Sequence, residues 1–385
     1  MKRAIVFLGI GVLQMHAIHA ARSNGFYLIG FDQNADAYCK GLVDEFYNFS
    51  AVEAARIYAI LAPRKDVIVE FIWANNDILV GARIWLEDQM SIKTPRLSYR
   101  DGLAAIDKGL FKRRFRSEMY VETINSKSVI IPELRYLIKP VHGSGSFGIR
   151  AMYGWQLCSH VIDKCIVEPY ITGTEYGMNC FVTSNEIIWF NCVRRYFDHS
   201  KDYMPRGTIW SQEIEGLAEV KKAKLLLSNF IRVNKLIGPL KFDILISDDE
   251  TVYMLEFSPR FHGEVDTSYV FHYAGGRSVP QIMFRLLASQ REDLDSNLSG
   301  DGFAYGYFSL FGDPCSSDCQ LNDLVKEHGL DLEVVGSLVR SVKCKGEGVS
   351  TSDIHTFLFY RSSEIISDGL FMKISNGINF RYSND

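Results

Sequence analysis

The sequence has no run of about 18 uninterrupted apolar residues, the length a membrane-spanning helix requires, so no stretch of it reads as a span. It has no excess of positive charge either. Its 42 Lys and Arg stand against 46 Asp and Glu, a net charge of −4, and a nucleic acid or an anionic membrane finds no basic footprint. Single anionic ligands stay open, because local charge decides those. The eight cysteines lack the paired spacing of a metal site: Cys315 and Cys319 are the closest pair, with no second pair and no His-x-x-x-His partner. A chain of 385 residues does not need disulfide staples, so reduced thiols in a cytoplasmic protein are expected. Internal repeats and low-complexity linkers are missing, and no Ser-His-Asp or Cys-His arrangement marks a nucleophile. What is present is a 47% apolar and 23% charged composition, which describes a globular protein with a large core and roughly two to three domains.

The opening, MKRAIVFLGIGVL, places basic residues before an apolar run, as a signal peptide does. Gln14, His16 and His19 interrupt the segment after it, and Ile18 sits at minus three of a cleavage point at Ala20. The favoured reading is a buried strand, Ala4 to Leu8, that turns at Gly9 and Gly11 into a helix from Val12 to Ser23. Further runs, FYLIGFD, DEFYNF and DVIVEFIW, alternate with helical segments and predict a parallel sheet covered on both faces. Ligands of such sheets bind beyond the carboxyl ends of the strands, here Gly9–Gly11, Asp32 and Asn75-Asn76-Asp77. Pro95 closes this first domain, residues 1–95.

Residues 96–300 form the second predicted domain. It opens with a helix over DGLAAIDKGLFKRRFRSEMYV, with Asp101 as N-cap and a basic second half. A small β-rich lobe is expected over about 123–175, with a helix near Trp155 to His160 inside it. Strands over EIIWFNCVRRYF, a helix from about Leu217 to Leu236 and a hairpin, GPLKFDILISDDETVYMLEF, complete it. Residues 301–385 read as a β-rich subdomain. The fold class expected is α/β, or α+β taken overall.

Three constellations carry chemistry. On the hairpin, Asp243 and Glu256 lie on opposite arms, and Ser258, two residues past Glu256, shares its face. Two carboxylates and a neutral oxygen suit a hard cation, and Mg²⁺ leaves room for phosphate oxygens. The competing reading is a solvated acidic hairpin. In KPVHGSGSFGI, Lys139 precedes Gly143, Gly145 and Gly148; glycines let backbone N–H groups approach phosphates, though an ordinary turn would look the same. In IVEPYITGTEYG, an adenine could bond backbone groups from Pro169 to Ile171, and Glu175 could take ribose hydroxyls, unless these are surface glutamates.

In this order, the motifs resemble the ATP-grasp superfamily along nearly the whole chain. IDKGLFKRR is similar to the helix that supplies a first phosphate lysine, here Lys108, and YLIKP to the strand with the second, Lys139. GSGSFG resembles the loop over the phosphates, which implies nucleotide contacts at Gly143, Ser144, Gly145, Ser146 and Gly148. VEPYITGTEY resembles the adenine hinge and ribose glutamate, implying roles for Glu168, Tyr170, Ile171 and Glu175. LEFSPRFHG is similar to the family's Glu-x-Asn-x-Arg segment. Its serine departs from the usual asparagine, in the manner of the branch that resembles formate-dependent glycinamide ribonucleotide transformylase, and leaves Asp243 and Glu256 to carry the metal.

The resemblance implies a ligase that makes an acyl phosphate from ATP and a carboxylate, then joins it to an amine. ATP and Mg²⁺, with Mn²⁺ as substitute, would be needed, and Lys139 and Arg260 would act on the reacting groups. The glycine loop would exclude water from the acyl phosphate. Gly9, Gly11, Asn75, Arg194 and His262 are candidate substrate contacts, while His262 and the Arg194-Arg195 pair also read as structural. The expected partners are small carboxylates and amines, neither nucleic acid nor membrane, and a homodimer is compatible with the chain. Two alternatives stand. One is a non-catalytic nucleotide binder, favoured by Ser258. The other is a dinucleotide enzyme using Gly9-x-Gly11 and Asp32, whose fingerprint has Gln14 where its third glycine belongs.

Overall fold

The computed structural model of the chain describes residues 1–125, 128–141, 146, 148–157, 165–198, 203–289, 301–310, 332–339, 354 and 356–382. Its first four strands are β1 (Lys2–Leu8), β2 (Tyr27–Asp32), β3 (Glu45–Asn48) and β4 (Val67–Trp73), parallel and in the order β3-β2-β1-β4. Such a sheet is covered on both faces, so its central strand is apolar at consecutive positions. Ala4 through Leu8 are all buried accordingly. Helix α1 (Met15–Ser23) packs on one face against Ile5, Phe7 and Phe71. Helices α2 (Ala54–Leu61) and α3 (Asp77–Gln89) cover the other, against Ala4, Val6 and Ile72. The chain steps outward through β2 and β3, then returns to set β4 on the far side of β1. That reversal opens a crevice at the carboxyl ends of β1 and β4.

The single helix expected from Asp101 is two short ones, α4 (Tyr99–Ile106) and α5 (Phe111–Arg114). The N-cap is Ser98, whose hydroxyl accepts the Asp101 N–H at 3.1 Å. Between the helices, the Asp107 carboxylate accepts the N–H groups of Gly109 and Leu110, each at 2.8 Å. An aspartate that caps the turn after it competes with the helical ladder, and α4 ends there. The small lobe is an antiparallel sheet with β5 (Arg135–Pro140) between β6 (Arg150–Tyr153) and β7 (Cys165–Pro169). Gly154–Gln156 make one 3-10 turn that stops at Leu157, whose backbone is extended, and residues 158–160 of the helix expected there lie outside the described residues.

The large sheet has eight antiparallel strands. They are β8 (Gly173–Val182), β9 (Ile187–Phe197), β10 (Pro205–Trp210), β11 (Gly238–Ser247), β12 (Val252–Ser258), β13 (Ala304–Leu310), β14 (Leu332–Val339) and β15 (Thr356–Ser362). Their order is β12-β11-β8-β9-β10-β13-β15-β14, so the strands beyond residue 300 extend this sheet through the β10–β13 pairing. The chain then forms a helix, Asp368–Tyr382, where only β-rich segments were expected. Phe371, Ile374 and Ile378, spaced by three and four, put one face of it into the core.

Alternation along β8, β11 and β12 gives the large sheet two unlike faces. Tyr176, Met178, Phe242, Ile244 and Phe257 point to one, which the helix Ala218–Val233 covers. Each such side chain contributes about 2 kcal/mol by leaving water. The other face carries Glu175, Gly177, Asn179, Lys241, Asp243, Glu256 and Ser258. The segment between the lobes stitches this edge to the small sheet: Met119 O accepts the Met254 N–H at 2.8 Å, and Val167 O accepts the Ile124 N–H at 2.7 Å. Among the described residues no helix is long and apolar enough to cross a membrane.

Candidate active site

The hairpin sets Asp243 directly opposite Glu256 and Lys241 opposite Ser258, with a bulge just past Asp243. Lys241 was not anticipated. Its ammonium donates to Asp243 Oδ2 at 3.0 Å and to Glu256 Oε1 at 2.6 Å, bridging the two acids. The signal was available, because Lys241 lies two residues before Asp243 and must share its face. Arg195 reaches Asp243 Oδ1 at 2.8 Å, and His262 Nε2 meets the same oxygen at 2.6 Å. Burial opposes charge on Asp243, but Arg195, Lys241 and His262 outweigh it and hold the carboxyl well below the usual carboxylate range.

The His262 side chain is buried. Both ring nitrogens face oxygens, Asp243 Oδ1 and, at 3.0 Å, Asn179 Oδ1, which would suit an imidazolium. Burial pulls the other way, driving the pKa down to about 3, with Asp243 resisting and Arg195 and Lys241 reinforcing. The ring is held between these two acceptor oxygens, and burial sets its preference against the two contacts. Gly177 makes this packing feasible, since a Cβ there would lie 3.0 Å from Arg195 Nη2 and 3.2 Å from the His262 ring.

The two adjacent arginines separate, as neighbours on a strand do. Arg195 faces the site; Arg194 faces away and pairs with Asp368 of the last helix at 2.8 Å, so its candidacy as a substrate contact is corrected. Arg260 differs from expectation too. Its fork is closed on Asp77, Nε to Oδ1 at 2.6 Å and Nη2 to Oδ2 at 2.7 Å, and Nη1 donates to Phe261 O at 2.8 Å. It ties the end of the hairpin to the start of α3.

Across the cleft, Lys139 on β5 donates to Glu168 Oε2 on β7 at 2.6 Å. The second lysine there is Lys112 of α5, at 2.5 Å from Glu168 Oε1 and 2.6 Å from Val121 O. Lys108, four residues earlier, sits in the Asp107–Leu110 turn, where a Cβ on Gly109 would lie 3.9 Å from Val141. Lys112 was missed because the break after Ile106 turns the basic segment. His142, Gly143, Ser144, Gly145 and Phe147 lie outside the described residues. Ser146 and Gly148 have φ of +62° and +73°, and a Cβ on Gly148 would approach Pro140 Cγ to 2.9 Å. Tyr170 donates its N–H to Arg135 O at 3.0 Å and offers its ring to the Arg135 guanidinium at 4.5 Å; Ile171 follows, half-buried. Burial pushes the Glu175 carboxyl up to about 7, opposed by Arg195 and Lys139 and reinforced by Asp243 and Glu256.

In the crevice of the first sheet, the Asp32 carboxylate accepts the N–H groups of Ile10 and Asn34, both at 2.9 Å. It braces the Gly9–Gly11 turn, which weighs against the ribose role of a dinucleotide enzyme. Glu264 enters from the turn after the hairpin and accepts from Trp73 Nε1 at 2.5 Å, Ser268 Oγ at 2.7 Å and Asn75 Nδ2 at 3.1 Å. Burial pushes its carboxyl up to about 7, with the three donors opposing. The folded state therefore keeps this proton after the unfolded chain has released it, and stability falls as pH rises from about 4.5 to about 7. Glu264→Gln is expected to remove about 3 kcal/mol of that decline, read from urea unfolding at pH 5 and pH 8. Parallel pH profiles of the two proteins would refute it.

Asp243 and Glu256 face each other with the Lys241 ammonium between them, and the Ser258 hydroxyl is buried without a hydrogen-bond partner; a magnesium ion, which takes few protein ligands, would be held there by the two carboxylates. Among the described residues no group of three or more His, Cys, Asp or Glu side chains is placed to hold a metal, so phosphate and water would complete the shell.

Residues 105–264 match the family described as the ATP-grasp domain. The fold is an ATP-grasp fold: a parallel N-terminal sheet and a large antiparallel sheet. N5-carboxyaminoimidazole synthetase from Staphylococcus aureus is similar over 98% of this chain and 97% of its own, with 15% identity and a TM-score of 0.64. L-amino acid ligase from Bacillus licheniformis covers 98% of both chains with 13% identity and a TM-score of 0.67. The biotin carboxylase domain of Hydrogenobacter thermophilus 2-oxoglutarate carboxylase, in complex with MgADP, covers 93% of this chain and 85% of its own, at 13% identity and a TM-score of 0.65. No curated protein matches this chain in sequence.

Proposed function

We propose that this protein is an ATP-dependent carboxylate–amine ligase. The γ-phosphoryl of ATP passes to a carboxylate oxygen, and an amine then attacks the acyl carbon, expelling phosphate and losing a proton, to leave an amide and ADP. One observation carries this reading. Asp243 faces Glu256 on the hairpin, and the segment that follows Lys112 bonds that hairpin at Met254 and the small lobe at Val167, so the acidic pair and the two lysines on Glu168 sit on elements joined edge to edge. Lys139 and Lys112 offer two positive charges to phosphate oxygens as the phosphoryl group dissociates. A magnesium ion, held by Asp243 and Glu256, would supply further neutralisation there. Asn75, half-buried and held by Glu264 behind it, stands at the adjoining crevice, where a substrate would be oriented. The ligase, synthetase and carboxylase neighbours accord with this, and one of them holds MgADP.

The test is a screen of carboxylate–amine pairs for ADP and phosphate release. Release that needs both partners supports the proposal, and release indifferent to the carboxylate sinks it. Lys139→Ala is expected to weaken ATP binding roughly tenfold or more, the worth of one charge-assisted hydrogen bond. Equal affinity by calorimetry would count against Lys139 as a phosphate ligand. A second reading, a non-catalytic nucleotide binder, is favoured by Lys241, which already neutralises the acidic pair, and by Ser258. Carboxylate-dependent turnover excludes it.

A further inference from the structure

Lys241 stands where a cation between Asp243 and Glu256 would stand. Its strand is buried along its length, and the Lys241 side chain is 6% exposed. Two carboxylates in such a place repel each other, and removing the charge that separates them leaves them uncompensated. The other polar groups around them are engaged: Arg195 and His262 meet the far oxygen of Asp243, and Arg260 is forked onto Asp77. Lys241 is accordingly the only charged group among the described residues that bridges both acids.

We propose that Lys241 is a resident counter-cation that competes with the divalent ion, so that the metal enters only together with the nucleotide. This rests on the ligase reading for one premise, a nucleotide-borne ion. An ion arriving alone must displace an ammonium already at 3.0 and 2.6 Å from its ligands, and gains only what the exchange of one cation for another provides. An ion arriving on a polyphosphate brings further oxygen ligands, while the displaced ammonium gains phosphate oxygens as new acceptors. Metal and nucleotide affinities are then positively coupled, each raising the other by the same factor.

The experiment measures Mn²⁺ binding, as manganese chloride without nucleotide, from the electron paramagnetic resonance of free Mn²⁺. Lys241→Met removes the charge at similar length and is expected to bind Mn²⁺ at least tenfold more tightly than the wild type. Lys241→Arg, which keeps the charge, stays near the wild-type value, and adding Glu256→Gln to Lys241→Met abolishes the gain. Equal Mn²⁺ affinity in Lys241→Met and wild type overturns the proposal, as does a gain that survives Glu256→Gln. Should Lys241→Met unfold without metal, Mn²⁺ must restore its thermal transition; a chain that stays unfolded at saturating Mn²⁺ also overturns it. The ligase reading fails separately: tightened Mn²⁺ binding with no carboxylate-dependent ADP release would keep this inference and discard that one.

Discussion

Glu256→Ala is expected to lower carboxylate-dependent ADP release by roughly 100- to 1,000-fold, the scale of losing one preorganised electrostatic contact to the transition state, while the chain stays folded. The choice of Glu256 over Asp243 is physical. The Glu256 side chain is 35% exposed and its ion pair is with Lys241, so truncation costs little stability. Asp243 is buried against Arg195, Lys241 and His262, and removing it would strand several partners in the interior. A dead Asp243 variant would therefore report folding as much as chemistry. Circular dichroism beside a coupled ADP assay separates the two for Glu256→Ala, and unchanged turnover in a folded variant would remove the hairpin from the mechanism.

Glu168→Ala should destabilise the protein by about 3–5 kcal/mol, the cost of breaking a buried ion pair from one side. Glu168 is buried and holds both Lys139 and Lys112, which would then face each other without an anion between them. ATP supplies the missing negative charge, so the nucleotide should raise the midpoint of urea unfolding more in Glu168→Ala than in the wild type. A loss below about 1 kcal/mol would mean that the lysines swing to water. A loss without enhanced ATP rescue would mean that their ammonium groups do not meet phosphate.

Much of this site was legible because it is local. Asp243 and Glu256 belong to one hairpin around a short acidic turn, so both were legible as a pair, but the register running from the turn would set Asp243 opposite Leu255, and the bulge just past Asp243 brings Glu256 beside it. The strands of the first sheet were legible as continuous apolar runs, since burial on both faces leaves no polar alternation. Lys241 is equally local, two residues before Asp243 on the same strand, but its sequence position does not show that its ammonium sits between the two acids. Lys112 depended on where α4 breaks, which Asp107 decides through a turn that a helical periodicity does not register.

The chain's own order of residues determined the alternating pattern, the acidic hairpin and the lysine-bearing strand, all of which arise from spacings of a few residues. Tertiary structure decided which charges meet. Arg260 closes on Asp77 across 183 residues, Trp73 donates to Glu264 across 191, and Arg195 rather than Arg194 turns towards Asp243. Those pairings depend on how two sheets and a crevice come to share one interior. No local propensity encodes them, because the interior forms only when distant segments exclude water together.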